Sequence, residues 1–207
     1  MKSDIDIILN LLKHEYPDPI IALKAKNSLE LLVATILSAQ CTDTRVNIVT
    51  DVIFKKYRRA KDYAKADLKS LEQDIRSTGF YHNKAKNIIG AAQRIVKGFR
   101  GRVPETMEDL LELPGVARKT ANVVLYNAYN KNEGIAVDTH VSRVSQRLGL
   151  TKNSSPEKIE QDLMGQLDKK EWGPFSLRLI WHGREVCQAQ KPKCLECFLK
   201  GFCSYYG

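Results

Sequence analysis

Apolar residues recur along this chain at the three- and four-residue spacing that is typical of amphipathic helices. In the first segment, Ile5, Ile8 and Leu12 would share one helix face, and Pro17 would end that helix. Short apolar runs such as 134–137 are too few to build a sheet, so we predict an all-α fold. The predicted helices cover 4–16, 29–40, 44–57, 66–77, 83–99, 107–113, 118–129, 139–148, 156–167 and 173–186.

Only one weak internal boundary interrupts this helical pattern. The segment 130–134, Asn-Lys-Asn-Glu-Gly, would break two helices. The chain has no tandem repeat, no glycine- and serine-rich linker and no low-complexity stretch.

Charge is the compositional feature that narrows the function. The 207 residues include 33 Lys and Arg against 24 Asp and Glu, for a formal net charge of +9. Such an excess favours a polyanionic partner, although it would also serve solubility alone. The segment 81–102 contains no acidic residue and carries Lys84, Lys86, Arg94, Lys97, Arg100 and Arg102. We expect a positive face or edge there, with an ordinary solvated helix surface as the alternative.

The sequence points away from the membrane. No stretch of about 18 apolar residues could form a spanning helix. The N-terminal segment 1–10 has no basic start and no uninterrupted apolar run, so we expect no signal peptide and a cytoplasmic location. Thiols stay reduced there, so the cysteines are interpreted as metal ligands or core residues before disulfides.

Four of the five cysteines lie together near the C-terminus. Cys187, Cys194, Cys197 and Cys203 have the spacing C-x6-C-x2-C-x5-C. Soft thiolate ligands in one short loop indicate zinc or an iron–sulfur cluster. Only one pair has the CxxC spacing that zinc sites usually repeat, which favours the cluster without deciding it. Cys41 stands apart at the end of an apolar helix, where we expect a buried, inert thiol.

A tight connection between two predicted helices is a candidate anion site. Leu-Pro-Gly-Val-Ala at 113–117 would end one helix and turn the chain sharply into the next. The N–H groups that open the second helix would suit a DNA phosphate and would not distinguish bases. A plain turn between two helices is the alternative.

Two polar residues near helix starts are candidates for chemistry. Lys119 falls in the first turn of the helix after the turn, where a cation is electrostatically unfavourable. That placement weakly suggests a functional lysine. Asp138 follows an apolar run and precedes a helix, so its expected role is an N-cap. Capping and catalysis are compatible, because a cap holds the carboxylate rigidly.

Several motifs together resemble the endonuclease III family of the helix-hairpin-helix glycosylases. They are LPGVARKTANVV at 113–124, AVDTHV at 136–141, and HGR at 182–184 leading into the cysteine loop. LSAQ at 37–40, GFY at 79–81 and NKA at 83–85 are also similar to that family. The motifs occur in the family's order, and the resemblance covers about 29–203.

The resemblance implies a fold of two helical lobes with a DNA cleft between them. One lobe would be a six-helix barrel over 21–131 that includes the helix-hairpin-helix at about 107–130. The other would combine 1–20 with 132–207 and hold a [4Fe-4S] cluster on the loop 187–203. Double-stranded DNA with damaged bases or abasic sites would be the partner, and we expect a monomer.

The resemblance also assigns roles to residues. Lys119 would be the nucleophile and Asp138 the catalytic carboxylate, and the four cysteines would ligate the cluster. Gln40 would fill the gap left by an extruded base, and Phe80 would wedge the opposite strand. The remaining expected DNA contacts are Gly115, Ala117, Arg118, His140, Arg143, Arg184, Lys191 and Lys193.

The implied activity is base-excision repair by a bifunctional N-glycosylase and abasic-site lyase. It would remove oxidised pyrimidines and cut 3′ to the abasic site by β-elimination through a Lys119 Schiff base. The closest alternative is an adenine mismatch glycosylase, which usually lacks the lysine and carries a further C-terminal domain. A non-catalytic DNA-binding module with zinc and an electron-transfer protein are the others.

One position departs from the family pattern. The hairpin usually has a second glycine where this chain has Ala117. Alanine donates its backbone N–H equally well if φ is negative. We expect a helical φ at Ala117 and little effect on phosphate binding.

Overall fold

Helices account for all the regular secondary structure of the described chain. The computed structural model describes residues 4–206, so the ends of the expected cluster domain, 1–3 and 207, lie outside it. Within 4–206 there are α-helices and short 3-10 helices, and no strand. The predicted all-α class is therefore confirmed.

Contacts divide the chain into two compact units, one continuous and one in two segments. The first unit is Ile21–Lys131. The second combines the segment that ends at Ile20 with the segment that begins at Asn132. The first unit contains α2 (Ser28–Leu37), α3 (Asp43–Lys56), α4 (Ala60–Ala64), α5 (Leu68–Asp74), α6 (Tyr81–Gly98), α7 (Met107–Leu111) and α8 (Arg118–Tyr129).

Helix α2 is the centre of the unit Ile21–Lys131. It packs against α3, α6 and α8. Every residue from Leu31 to Leu37 is buried, as expected of a helix that is apolar on nearly all sides. Asn27 caps its start, because its side-chain oxygen accepts a hydrogen bond from the Glu30 N–H at 2.9 Å.

The second unit packs around helix α11. Its helices are α1 (Asp4–Glu15), α9 (Thr139–Arg147), α10 (Pro156–Met164) and α11 (Trp172–Glu185). Helix α11 contacts both α1 and α9. The buried guanidinium of Arg178 donates to the carbonyls of Tyr16 at 3.0 Å and Pro17 at 3.2 Å. The N-terminal segment is thereby tied to the C-terminal part of the chain.

The structure corrects one predicted helix bound and adds one helix that was not predicted. Helix α2 ends at Leu37 and does not continue to Gln40, whose φ is +51°. Helix α4 has only five residues, too few for a periodic pattern to reveal. In the described part of the chain, no helix is both long and apolar enough to cross a bilayer.

Candidate functional site

The hairpin between α7 and α8 depends on Gly115. Its φ is +78°, a conformation that side-chain-bearing residues rarely adopt. A Cβ built on it would lie 2.6 Å from the Asn87 Cβ. The turn closes with the Val116 N–H donating to the Leu113 carbonyl at 3.1 Å. Glycine is therefore required here for both its backbone freedom and its small size.

Ala117 is the N-cap residue of α8. Its φ of −95° and ψ of 172° are extended, so the expectation of a helical conformation is wrong. The φ is nevertheless negative, which alanine adopts without strain. The Ala117 side chain forms no capping hydrogen bond. An N-cap residue without a side-chain acceptor does not compete with an anion for the N–H groups of the first turn.

Lys119 and Arg118 occupy the first turn of α8. Both are exposed, and the first turn contains no acidic residue. Among the described residues, the Lys119 ammonium has no ion-pair partner. A cation that is exposed beside a helix N-terminus and lacks a partner is available to a ligand.

Asp138 caps helix α9 through a single carboxylate oxygen. Its Oδ1 accepts hydrogen bonds from the N–H groups of His140 and Val141, both at 2.8 Å. Within the described residues, Oδ2 has no hydrogen-bond partner. The predicted cap is therefore present, and it leaves the second oxygen of a rigidly held carboxylate available for other chemistry.

Gln40 and Phe80 lie in two loops that share one buried cation. Both residues have left-handed backbones, with φ of +51° and +49°, and both are exposed. The Lys84 ammonium donates to the carbonyls of Leu37 and Thr78, each at 2.8 Å. Leu37 ends the helix before Gln40, and Thr78 precedes Phe80 by two residues. Burial lowers the pKa of Lys84.

Sequence reasoning had not given Lys84 this positioning role. The available signal was its register, because Lys84 lies on the same helix face as Ile88, Ala91 and Ile95. A lysine within an apolar stripe is buried only if its ammonium finds partners. Here the partners are the carbonyls of the two candidate DNA-contacting loops.

Arg143 bonds to the backbone around the cysteine loop. Its guanidinium donates to the carbonyls of Cys187 at 3.0 Å and Gly183 at 2.8 Å. The Arg143 Nη2 also lies 3.2 Å from the His140 Nδ1. These contacts give Arg143 a positioning role, whereas Arg184, Lys191 and Lys193 are exposed. Lys191 also has a left-handed backbone, with φ of +51°.

The four clustered cysteines line one cavity. None of them forms a disulfide, and all four are partly buried. The cavity walls also include Val144, Leu148 and His182. Burial raises the pKa of the Cys197 thiol, and the other three cysteines raise it further. Thiolates so placed need the compensating charge of bound metal.

The donor set of this cavity fits an iron–sulfur cluster. All four clustered cysteines line its walls. A [4Fe-4S] cluster is held by four cysteine thiolates.

Arg147 is a second residue that sequence reasoning missed. Its guanidinium donates to the Cys187 Sγ at 3.3 Å and to the Gln188 carbonyl at 2.8 Å. The same group lies 4.1 Å from the centre of the Tyr205 ring. Its positive charge offsets thiolate charge on one side of the cavity. Nothing in the local sequence distinguishes Arg147 from a surface arginine.

Two protein families and a related protein match this chain. Residues 33–169 match the HhH-GPD superfamily base excision DNA repair protein family. Residues 187–203 match the iron–sulfur binding domain of endonuclease III. Endonuclease III of Synechocystis sp. is 54% identical over 196 residues, which are 95% of this chain and 90% of that protein.

Solved structures agree with the sequence relationship. A non-covalent endonuclease III–DNA complex matches with a TM-score of 0.94 and 44% identity, covering 100% of this chain and 97% of that one. A trapped endonuclease III–DNA covalent intermediate matches with the same TM-score and identity, covering 100% and 98%.

The fold and the matched segments define a helix-hairpin-helix protein of base-excision DNA repair. More particularly, the chain belongs to the endonuclease III family. The resemblance found in the sequence is thereby confirmed, as is the expected class of activity, a DNA glycosylase/lyase. The cofactor is a [4Fe-4S] cluster, and the matched iron–sulfur binding domain, 187–203, is the segment that contains the four clustered cysteines.

The hairpin geometry predicts opposite outcomes for two neighbouring substitutions. Gly115→Ala places a methyl group against Asn87 at positive φ, which costs about 1–3 kcal/mol of local strain. We expect weaker binding to duplex DNA and a lower melting temperature. Ala117→Gly, the matched control, changes affinity less than about twofold, because Ala117 already has a negative φ and both residues present the same backbone N–H. A large gain in affinity for Ala117→Gly would mean that alanine does strain this turn.

The Arg147 contacts predict that cluster retention depends on this residue. Arg147→Met removes hydrogen bonds to Cys187 and Gln188. Hydrogen bonds to charged groups contribute about 1.5–3 kcal/mol to the free energy of unfolding. We therefore expect the melting temperature to fall by roughly 5 °C. Iron release to a chelator should accelerate in parallel. Lys152→Met, which alters an exposed cation of the same unit, should match the wild type. Unchanged iron release in Arg147→Met would refute the role.

Proposed function

We propose that this chain is a bifunctional DNA N-glycosylase and abasic-site lyase that uses Lys119 as nucleophile. The observation that carries the proposal is the position of Lys119. It is exposed in the first turn of α8, directly after an uncapped helix start suited to a phosphate. The trapped covalent DNA intermediate known for a 44% identical endonuclease III supports the same chemistry.

The reaction begins when a damaged nucleotide leaves the duplex, at a cost of about a few kcal/mol. The neutral Lys119 amine forms a bond to the sugar C1′, and the base departs with the electrons of the N-glycosidic bond. The sugar ring opens to give a Schiff base between Nζ and C1′. Loss of a proton from C2′ then expels the 3′ phosphate by β-elimination, and water releases the enzyme.

Asp138 supplies a fixed negative charge for these steps. Its Oδ1 is held by two backbone N–H groups, which leaves Oδ2 to accept the lysine proton. The same charge stabilises positive charge that develops on the sugar. Anchoring through one oxygen prevents the carboxylate from rotating away during turnover.

DNA binding in this proposal combines backbone and side-chain contacts. The N–H groups of 115–118 hold a phosphate beside the lesion. Gln40 fills the space of the extruded base, and Phe80, which is 63% exposed, wedges the opposite strand. Lys191 and Lys193, which lie on the cysteine loop, bind DNA phosphates. Arg184 and His140 add further contacts to the DNA. Arg143 contributes indirectly, by holding that loop.

The remaining assignments follow from the same proposal. The segment 21–131 forms the barrel domain, and 1–20 with 132–207 forms the cluster domain. The cluster has a structural role, because its ligands shape the loop that carries Lys191 and Lys193. Oxidised pyrimidines are the proposed lesions. The protein acts as a monomer in the cytoplasm, on DNA of the nucleoid.

The nucleophile is tested by borohydride trapping on a duplex with one thymine glycol. Wild-type protein should form a covalent adduct, because borohydride reduces the Schiff base to a stable amine. Lys119→Gln should form none, and Lys97→Gln, an exposed lysine of α6, should trap as the wild type does. Adduct at full yield with Lys119→Gln would exclude Lys119 as the nucleophile. No adduct from cluster-loaded wild type would point to a monofunctional glycosylase or a binding module.

The two roles of Asp138 are separable by substitution. Asparagine also caps helices, so Asp138→Asn should retain the wild-type melting temperature within about 2 °C. It lacks the negative charge, so we expect strand cleavage to fall by roughly 100-fold or more. Asp138→Ala should lose both activity and about 1 kcal/mol of stability. Wild-type cleavage by Asp138→Asn would leave capping as the only role of this residue.

A further inference from the structure

A basic cavity of about 510 Å³ lies within the unit Ile21–Lys131. Four segments line it: the start of α2, the start of α4, the loop after α6 and the end of α8. Its volume is typical of a ligand site. The cations on its walls are Arg58, Arg59, Lys61, Arg100 and Arg102.

Little of this positive charge is neutralised. The one lining carboxylate, Glu105, lies 3.2 Å from the Lys131 ammonium. Asp62, in α4, accepts from the backbone N–H groups of Arg58 and Arg59. In the described chain Lys61, Arg100 and Arg102 have no acidic partner, and all three are exposed. The cavity therefore has a net positive potential.

The backbone after α6 holds two of these cations at the cavity. Arg100 and Gly101 have consecutive left-handed conformations, with φ of +54° and +81°. The Gly101 N–H donates to the Ile95 carbonyl at 3.0 Å, which ends the helix. An arginine at positive φ is uncommon and requires surrounding structure to keep it there. This turn places Arg100 and Arg102 on either side of one glycine.

The cavity is separate from the hairpin. Tyr129, at the end of α8, lines the cavity, whereas Lys119 is in the first turn of the same helix. Ten residues of helix place these two positions about 15 Å apart. Helix α2 repeats the arrangement, because Leu29 lines the cavity at one end and Gln40 follows the other end. A ligand in the cavity is therefore bound in addition to DNA at the hairpin.

We propose that this basic cavity is a second DNA-binding site, which holds backbone phosphates of a separate DNA segment. Exposed lysines and arginines are the groups that bind phosphates without regard to sequence. A specific small-molecule site would place buried, unpaired polar groups around its ligand, and no lining side chain has such an atom in the described chain. The Tyr129 hydroxyl, the one lining phenol, already donates to the Val103 carbonyl at 2.8 Å.

A second site would let one protein molecule contact two DNA segments at once. Transfer between segments then proceeds without full release, which shortens the search for rare lesions. The inference rests on the DNA binding of the proposed function but not on Lys119 or Asp138. The two ideas can therefore fail independently.

The test uses the full protein loaded with its cluster. The first site is saturated with a short duplex that contains an abasic-site analogue. A labelled undamaged duplex is then added, and its binding is followed by fluorescence anisotropy at several salt concentrations. The test variant is Arg100→Gln with Arg102→Gln. The control is Lys55→Gln with Lys69→Gln, which removes the same charge from exposed positions outside the cavity.

Wild-type and control proteins should bind the second duplex alike. The test variant should bind it at least 10-fold more weakly, and its slope of log affinity against log salt should be smaller by about 2, since each lost phosphate contact removes about 0.9. Borohydride trapping, measured separately on the duplex with one thymine glycol, should be the same in all three proteins. Loss of trapping with second-duplex binding intact would contradict the lyase proposal alone.

Three results would overturn the inference. Wild-type protein that binds no second duplex lacks the site. Equal weakening in test and control variants would reflect net charge only. The third result is that wild-type protein binds ATP or pyrophosphate, the test variant does not, and neither protein binds the second duplex. The cavity would then bind a free phosphate compound, and the DNA assignment would be wrong. Matched melting temperatures of the variants exclude misfolding as the cause.

Discussion

The unpaired backbone groups at helix ends are the constraint on which this structure depends. Each helix leaves N–H groups at its start and carbonyls at its end that need partners. Phe80, Ala117 and Asp138 are the N-cap residues of their helices, and Gln40 lies in the loop that follows the end of α2. Where a side chain supplies the partner, as at Asp138, the end is rigid. Where none does, as at Ala117, the end is open to an external anion. Both ways of completing a helix therefore occur among the candidate functional residues.

Several cations complete helix ends and loops from inside the protein. Lys84 bonds the carbonyls of Leu37 and Thr78, and Arg178 bonds those of Tyr16 and Pro17. Arg143 and Arg147 do the same for the cysteine loop. These four contribute to the net charge of +9, yet each uses at least one donor to bind the backbone. Exposed cations without an acidic partner in the described chain, such as Lys119 and Arg102, have donors that remain available to a polyanion.

The sequence predicted the helices that have a repeated apolar pattern. It did not predict the features that depend on contacts between distant parts of the chain. Periodicity located ten of the helices, and the motifs located Lys119, Asp138 and the cysteines. Helix α4 is too short for periodicity. Helix α2 ends at Leu37, and the left-handed conformation of Gln40 beyond it is not encoded by apolar patterning. The role of Lys84 depends on two carbonyls, 47 and 6 residues away in sequence. Only the folded chain brings these together.

The two phosphate sites proposed for this chain differ in how they achieve binding. At the start of α8 the donors are backbone N–H groups, already fixed by Gly115 and the turn, so binding orders little further structure. Such a site can hold one phosphate in a defined position, which chemistry at Lys119 requires. In the basic cavity the donors are long exposed side chains, which lose rotamer entropy on binding. They suit a DNA segment that must be held and released repeatedly. A fixed phosphate position at the hairpin and reversible phosphate binding in the cavity are thus the expected properties of an enzyme that searches along DNA and reacts at one nucleotide.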